Sequence, residues 1–94
     1  MLDYVKRRLA ITFSEADEDI LDYIKEAENL LTAWTGKREF NLPATNVEDS
    51  VANTLIAEYA RYARSGAADT FRKNYLDMII NLQLEVARNA APTE

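Results

Sequence analysis

The chain has 94 residues, a net charge of −5, and no cysteine or histidine. Without cysteine there is no disulfide framework, thiolate nucleophile or thiolate metal cluster, and without histidine the commonest general base and metal ligand are both absent. A hydrophobic share of 48% with 29% charged residues suits one globular domain, whose length allows roughly 60–65% of its unfolded surface to be buried.

Two glycines and two prolines leave few places to break a helix, and apolar spacing along the whole chain follows the helical period. Leu2, Val5 and Leu9, with Tyr4 beside them, predict a short helix over residues 2–9. Ile11, Thr12 and Phe13 then read as an extended link. Ser14 and Asp17 match a capping-box variant in which the Ser14 hydroxyl accepts a bond from a free helix N–H. The predicted second helix covers residues 15–35. Ile20, Ile24, Ala27, Leu31 and Trp34 form its buried stripe, widened by Leu21, Leu30 and Ala33. Gly36 supplies its left-handed stop. Residues 14–28 carry seven acids and one lysine, which leaves the rest of the chain near +1. Acids in the first turn complement the helix dipole.

Residues 36–46 form the one long loop, with Leu42 extended ahead of Pro43. Either Thr45 with Glu48 or Asn46 with Asp49 caps the next helix. That helix carries a main stripe of Val47, Val51, Leu55, Tyr59 and Tyr62, flanked by Ala52, Ile56, Ala60 and Ala63, and ends near Ser65-Gly66. A single fourth helix follows, with Phe71, Tyr75, Met78, Ile79, Leu82 and Val86 on one face. Leu76, Ile80 and Leu84 make it apolar around much of its girth, as in a helix with more than one packing partner. Residues 89–94 read as a frayed tail. The expectation is an all-α single domain over residues 1–94, a small bundle of three long helices with a short N-terminal helix. No apolar run has the length of a signal peptide or membrane span, so the reading is of a soluble protein that makes no membrane contact.

Candidate chemistry is sparse. Asp17, Glu18, Asp19 and Asp22 lack the glycine and the alternating ligands of a calcium loop and are read as a solvated helix start. The other carboxylates fall on polar faces, so no paired acid–base site stands out, and the expectation is no enzyme, no cofactor and no metal. The basic clusters are Lys6-Arg7-Arg8 and Lys37-Arg38, with Arg61, Arg64, Arg72 and Lys73 around the junction of the third and fourth predicted helices. They are read first as helix-end charge and solubility, and alternatively as contacts with an acidic partner or with DNA. Trp34 is read as closing the core end of its stripe, with an interface anchor as the alternative. Phe40, in a polar loop, is the better aromatic interface candidate. Lys37, Arg38, Phe40, Arg61 and Arg64 are therefore the candidate protein-interaction residues.

Taken in order, these pieces resemble the phage head–tail connector family of small helical virion proteins, which includes head-completion and DNA-packaging proteins. The resemblance covers about residues 2–62: Leu2, Val5-Lys6, Leu9 and Ile11; Asp17 to Ile20, Leu21, Ile24, Ala27-Glu28, Leu31 and Trp34-Thr35-Gly36; then Leu42-Pro43, Val47, Val51, Leu55, Ala57 and Tyr59. Tyr62-Ala63-Arg64 departs from the family's usual third-helix ending, and no family pattern stands out over Phe71 to Arg88. The resemblance implies a structural subunit of a homo-oligomeric ring beneath a portal protein. Such a ring extends the DNA channel without sequence-specific binding and docks tail-side connector proteins, in the virion or in the host cytoplasm during assembly. The rival readings are a small helical regulatory or DNA-binding domain and a stand-alone adaptor; an acidic chain with no basic recognition helix counts against DNA binding.

Overall fold

A computed structural model describes residues 1–90. Five helices follow one another: α1 (Leu2–Arg8), α2 (Asp17–Thr35), α3 (Val47–Arg64), α4 (Ala68–Asn74) and α5 (Leu76–Ala90). The described residues contain no strand, and no helix among them is long and apolar enough to cross a membrane.

The central layer is the pair α2 and α3. Helix α1 lies against both, α4 packs on α3 and α5, and α5 packs on α2 and α3. The core follows from the apolar periodicity. Ile20, Ile24, Ala27 and Leu31 of α2 meet Ala52, Leu55, Ile56 and Tyr59 of α3, with Val5, Phe71, Ile79, Leu82 and Val86 closing the two sides. Truncating a fully buried leucine such as Leu31 or Leu82 leaves a cavity that costs about 2–5 kcal/mol.

Helix ends depart from expectation in instructive ways. Helix α1 stops because Ala10 takes a left-handed φ of 57°, which lets the Ile11 N–H reach the Lys6 carbonyl at 2.9 Å. This turn sends Ile11 into the core. Ser14 does not cap α2 through its side chain. The helix begins at Asp17 after Ala16, and the Ser14 backbone carbonyl accepts the Asp17 N–H at 3.1 Å. Ala16 is buried, so the chain enters the helix by packing an alanine against the core while the Lys6 ammonium pairs with Asp17 Oδ1 at 2.7 Å. At the far end Gly36 adopts φ 79°, as its position after Thr35 requires.

The fourth predicted helix is two helices, so the bundle holds two short elements, α1 and α4, beside the three longer ones. No proline or glycine makes the break. Tyr75, with φ −113° and ψ 16°, is pulled out of helical geometry by what its side chain touches on α3. Its ring stacks on Phe71 at 5.0 Å and meets Tyr62 edge-on at 5.6 Å. Its hydroxyl donates to Glu58 at 2.8 Å, and neighbouring Asn74 donates to the Tyr62 hydroxyl at 2.9 Å. Phe71 also packs edge-on against Tyr59, so the kink is the corner of a four-ring aromatic cluster.

Helix α3 is rotated from the expected stripe. Val47 is 63% exposed and Val51 only partly buried, whereas Glu48, Asp49 and Asn53 are buried at the same end. Asn89 and Ala90 belong to α5 and are not frayed; residues 91–94 of the expected tail lie outside the described residues.

Candidate functional site

Three polar side chains buried in the first two turns of α3 organise the loop that carries most of the candidate contact residues. Asn46 caps the helix by accepting the Asp49 N–H at 2.9 Å, which decides between the two caps the sequence offered. Asp49 is fully buried, and one of its oxygens, Oδ2, takes three donors from the loop: the Asn41 amide at 3.1 Å, the Thr45 N–H at 3.1 Å and the Thr45 hydroxyl at 2.8 Å. One turn later the Asn53 amide donates to the Asn41 carbonyl at 2.9 Å. The Leu42–Pro43 peptide bond within this loop is cis.

Burial pushes the Asp49 carboxyl up, but the donors from Asn41 and Thr45 outweigh it and hold it at about 2. A carboxylate so acidic stays ionised at neutral pH and makes a poor general base. Its arrangement is that of a clamp, with negative charge at the positive end of α3's dipole.

Glu48 extends the clamp in two directions. One oxygen pairs with the Lys37 ammonium and the other accepts the Asn89 amide of α5 at 3.0 Å. The bond from Lys37 lowers the Glu48 carboxyl, burial opposes it, and Asn89 adds to the lowering. Thr35 holds the other end of this corner, its hydroxyl accepting the Lys37 N–H at 3.1 Å.

The five interaction candidates therefore separate. Lys37 faces inward onto Glu48, with its ammonium 5.0 Å from the centre of the Phe40 ring. Phe40 reaches the core's edge and is half-buried there, where a polar loop had given it no obvious core to reach. Arg38 alone of the three points outward, at the rim of a groove between α1 and α2. Arg61 and Arg64 lie at the other end of α3, about 20 Å away at 1.5 Å per residue. Arg61 is exposed beside Glu58 at 3.4 Å, and Arg64 lies over the Phe13 ring at 5.8 Å. They do not form one surface with the loop. Trp34 lies half-buried against the core, with Arg72 over its ring at 5.9 Å and its carbonyl bonded by Gln83 at 2.9 Å.

The acidic stretch of α2 is also put to structural use. Beyond the Asp17 pair, Glu26 accepts the Tyr59 hydroxyl at 2.8 Å, joining α2 to α3 across the edge of the core. Among the described residues no group of three or more acidic side chains is placed to hold a metal ion.

No family model, curated protein or solved structure matches the chain. The features left without an internal role are apolar and lie on the outside. Leu76 and Ile80 are each 42% exposed and Leu84 58% exposed, one turn apart along the outer face of α5. Leu21 is 49% exposed on α2 and borders the same α1–α2 groove as Arg38. Aliphatic residues aligned in this way mark a contact surface more often than scattered single ones do. The burial of Glu48, Asp49 and Asn53 escaped the sequence reading, although Asn53 recurs one turn after Asp49 on the face that continues to Ile56 and Ala60. That spacing was the available signal.

Proposed function

We propose that the chain is a structural subunit of a head–tail connector, assembling as a homo-oligomeric ring beneath a portal protein, lengthening the DNA channel and docking tail-side components without catalysing a reaction. What carries the reading is the ordered resemblance over residues 2–62: a short opening helix, an acid-fronted second helix closed by Trp34-Thr35-Gly36, and a Leu42-Pro43 loop leading into an alanine-rich third helix. Two physical features support it. The polar side chains at the start of α3 hold a loop in place and are arranged as a scaffold, with Oδ2 of the buried Asp49 carboxylate taking three loop donors. The exposed aliphatic row on α5 offers surface to a neighbour. A net charge of −5 also suits a channel wall along which DNA slides without sticking. Such a subunit works at the head–tail interface of the virion, or in the host cytoplasm while the particle assembles.

Light scattering of the purified chain, alone and mixed with a portal protein, followed by negative-stain imaging of any large species, tests the proposal. Ring-shaped particles or a stable complex with the portal support it. A strict monomer that ignores the portal and binds duplex DNA at moderate salt refutes it.

A further inference from the structure

The outer face of α5 and the groove between α1 and α2 are matched in length, and each carries exposed aliphatic side chains bordered by charged ones. The exposed row on α5 runs from Leu76 through Ile80 and Leu84 to Ala87, twelve residues or about 17 Å of helix. The groove, about 690 Å³, runs along α2 from Leu21 to Thr32, also twelve residues, with Met1, Leu2, Leu21 and Ile24 as its apolar lining, Glu28, Asn29 and Thr32 as its polar lining, and Lys25 and Arg38 beside them. Helix α1 flanks one side of α2, tied by the Lys6–Asp17 pair, and α5 flanks the other, tied by Gln83 to the Trp34 carbonyl. Helices α1 and α5 each pack on α2 and α3 but not on one another, so the row and the groove are separate patches of one molecule. Two different patches that do not touch within one molecule can join one copy to the next in the same sense at every step.

We infer that the α5 row of one copy docks into the α1–α2 groove of a second copy of this chain, in a head-to-tail contact. Such a heterologous contact builds rings or open chains, where a patch that pairs with itself stops at dimers. Charge sets the direction. With α5 running antiparallel to the partner's α2, exposed Asp77 comes beside Arg38, and Arg88 comes beside the acidic first turn that holds Glu18. Asp77, Lys25 and Arg38 are exposed and form no ion pair among the described residues, so each is available to a neighbour. Three aliphatic side chains make a small hydrophobic centre against the roughly 800 Å² per partner of a stable interface. The contact is consequently weak between two free copies and gains strength when a closed ring gives every subunit two of them. The inference rests on the ring reading above and adds to it the two surfaces that touch.

The test uses two variants at exposed positions, Leu84→Glu on the row and Leu21→Glu in the groove. Circular dichroism and thermal melting check that each stays folded. Sedimentation velocity is run up to millimolar concentration. Wild type self-associates beyond a dimer, whereas each variant alone stays monomeric. An equimolar mixture of the two forms a one-to-one dimer and nothing larger, because only the intact row of one and the intact groove of the other remain. Asp77→Arg weakens wild-type association at least tenfold, and adding Arg38→Asp to the same chain restores it. A wild-type chain that is monomeric throughout overturns the inference, and so does Leu84→Glu associating like wild type. A Leu21→Glu variant that still dimerises shows α5 pairing with itself and overturns it as well. In each of these cases the ring reading survives if portal-bound rings are still imaged; if no ring forms while the mixed variants dimerise, the ring reading fails and the contact stands.

Discussion

Removing the charge from Asp49 should cost about 2 kcal/mol at neutral pH, and removing its side chain about twice that. A carboxyl held at about 2 in the folded chain, against 3.8 when unfolded, favours folding by about 1.4 kcal/mol for each pH unit between the two values. Because the folded value is the lower one, this contribution is complete above pH ~4 and disappears as pH falls towards 2, with about half remaining at pH 3. All three loop donors converge on Oδ2, and Oδ1 makes no hydrogen bond among the described residues. Asp49→Asn can therefore keep an acceptor where the donors point and set its amide where nothing is bonded now, so that mainly the charge is lost. Asp49→Ala also removes the acceptor of the part-buried Thr45 N–H and of the side-chain donors, adding about 1–3 kcal/mol. Urea denaturation followed by circular dichroism at pH 7, 5 and 3 measures both. The gap between wild type and Asp49→Asn should be the same at pH 7 and 5 and shrink by about half at pH 3. A gap that does not change with pH, or an Asp49→Ala variant within ~0.5 kcal/mol of wild type, refutes the clamp.

Two further outcomes are expected. Burial, followed by hydrogen bonding to the Glu26 and Glu58 carboxylates, raises Tyr59 and Tyr75 to about 12, so in a spectrophotometric titration these two ionise about two pH units above the ordinary tyrosine value of 10. Since the folded value lies above the ordinary 10, their share of the stability is present below pH 10 and lost as pH rises through 12; Tyr59→Phe removes one of the late steps, and a folded wild-type chain with no tyrosine ionising near 12 contradicts it. Gly36→Ala should lower stability by about 1 kcal/mol through backbone strain alone, because φ is 79° and an added methyl meets nothing within 4 Å; thermal melting that shows no loss rules out the left-handed stop.

Helix α2 was legible in the sequence because everything that defines it is local: a long stripe of one period, acids at its start, a glycine at its end. Its start was misplaced by a few residues, since Ser14 has the right chemistry for a cap but Ala16 has the packing, and packing prevailed. The break at Tyr75 was not legible. Its cause is a set of contacts with Glu58 and Tyr62, thirteen to seventeen residues earlier, and no proline or glycine announces it. The first turn of α3 misled for a related reason. Glu48 and Asp49 look like dipole-matched surface charge until the loop folds back and brings them Lys37, Asn41 and Thr45. Of the candidate contact residues, charge and position singled out Lys37, Arg38, Arg61 and Arg64, and an aromatic ring in a polar loop singled out Phe40. They did not reveal that Lys37 is already occupied by Glu48 or that α3 separates the two arginines from the loop. The surplus of apolar residues on α5 was visible as composition. Which of them remain outside required knowing where α2 and α3 sit.

Glu48 joins two parts of the chain that are distant in sequence, holding Lys37 with one oxygen and Asn89, 41 residues beyond Glu48, with the other. The corner after α2 and the last turn of α5 thus share a single anchor. If a bound neighbour draws Lys37 away, Glu48 becomes a buried carboxylate with a single donor, and its hold on Asn89 must adjust. Conversely, fraying the end of α5 exposes the carboxylate to water and loosens the corner. One buried carboxylate therefore couples the loop after α2 to the last turn of α5, so a change at either place is felt at the other.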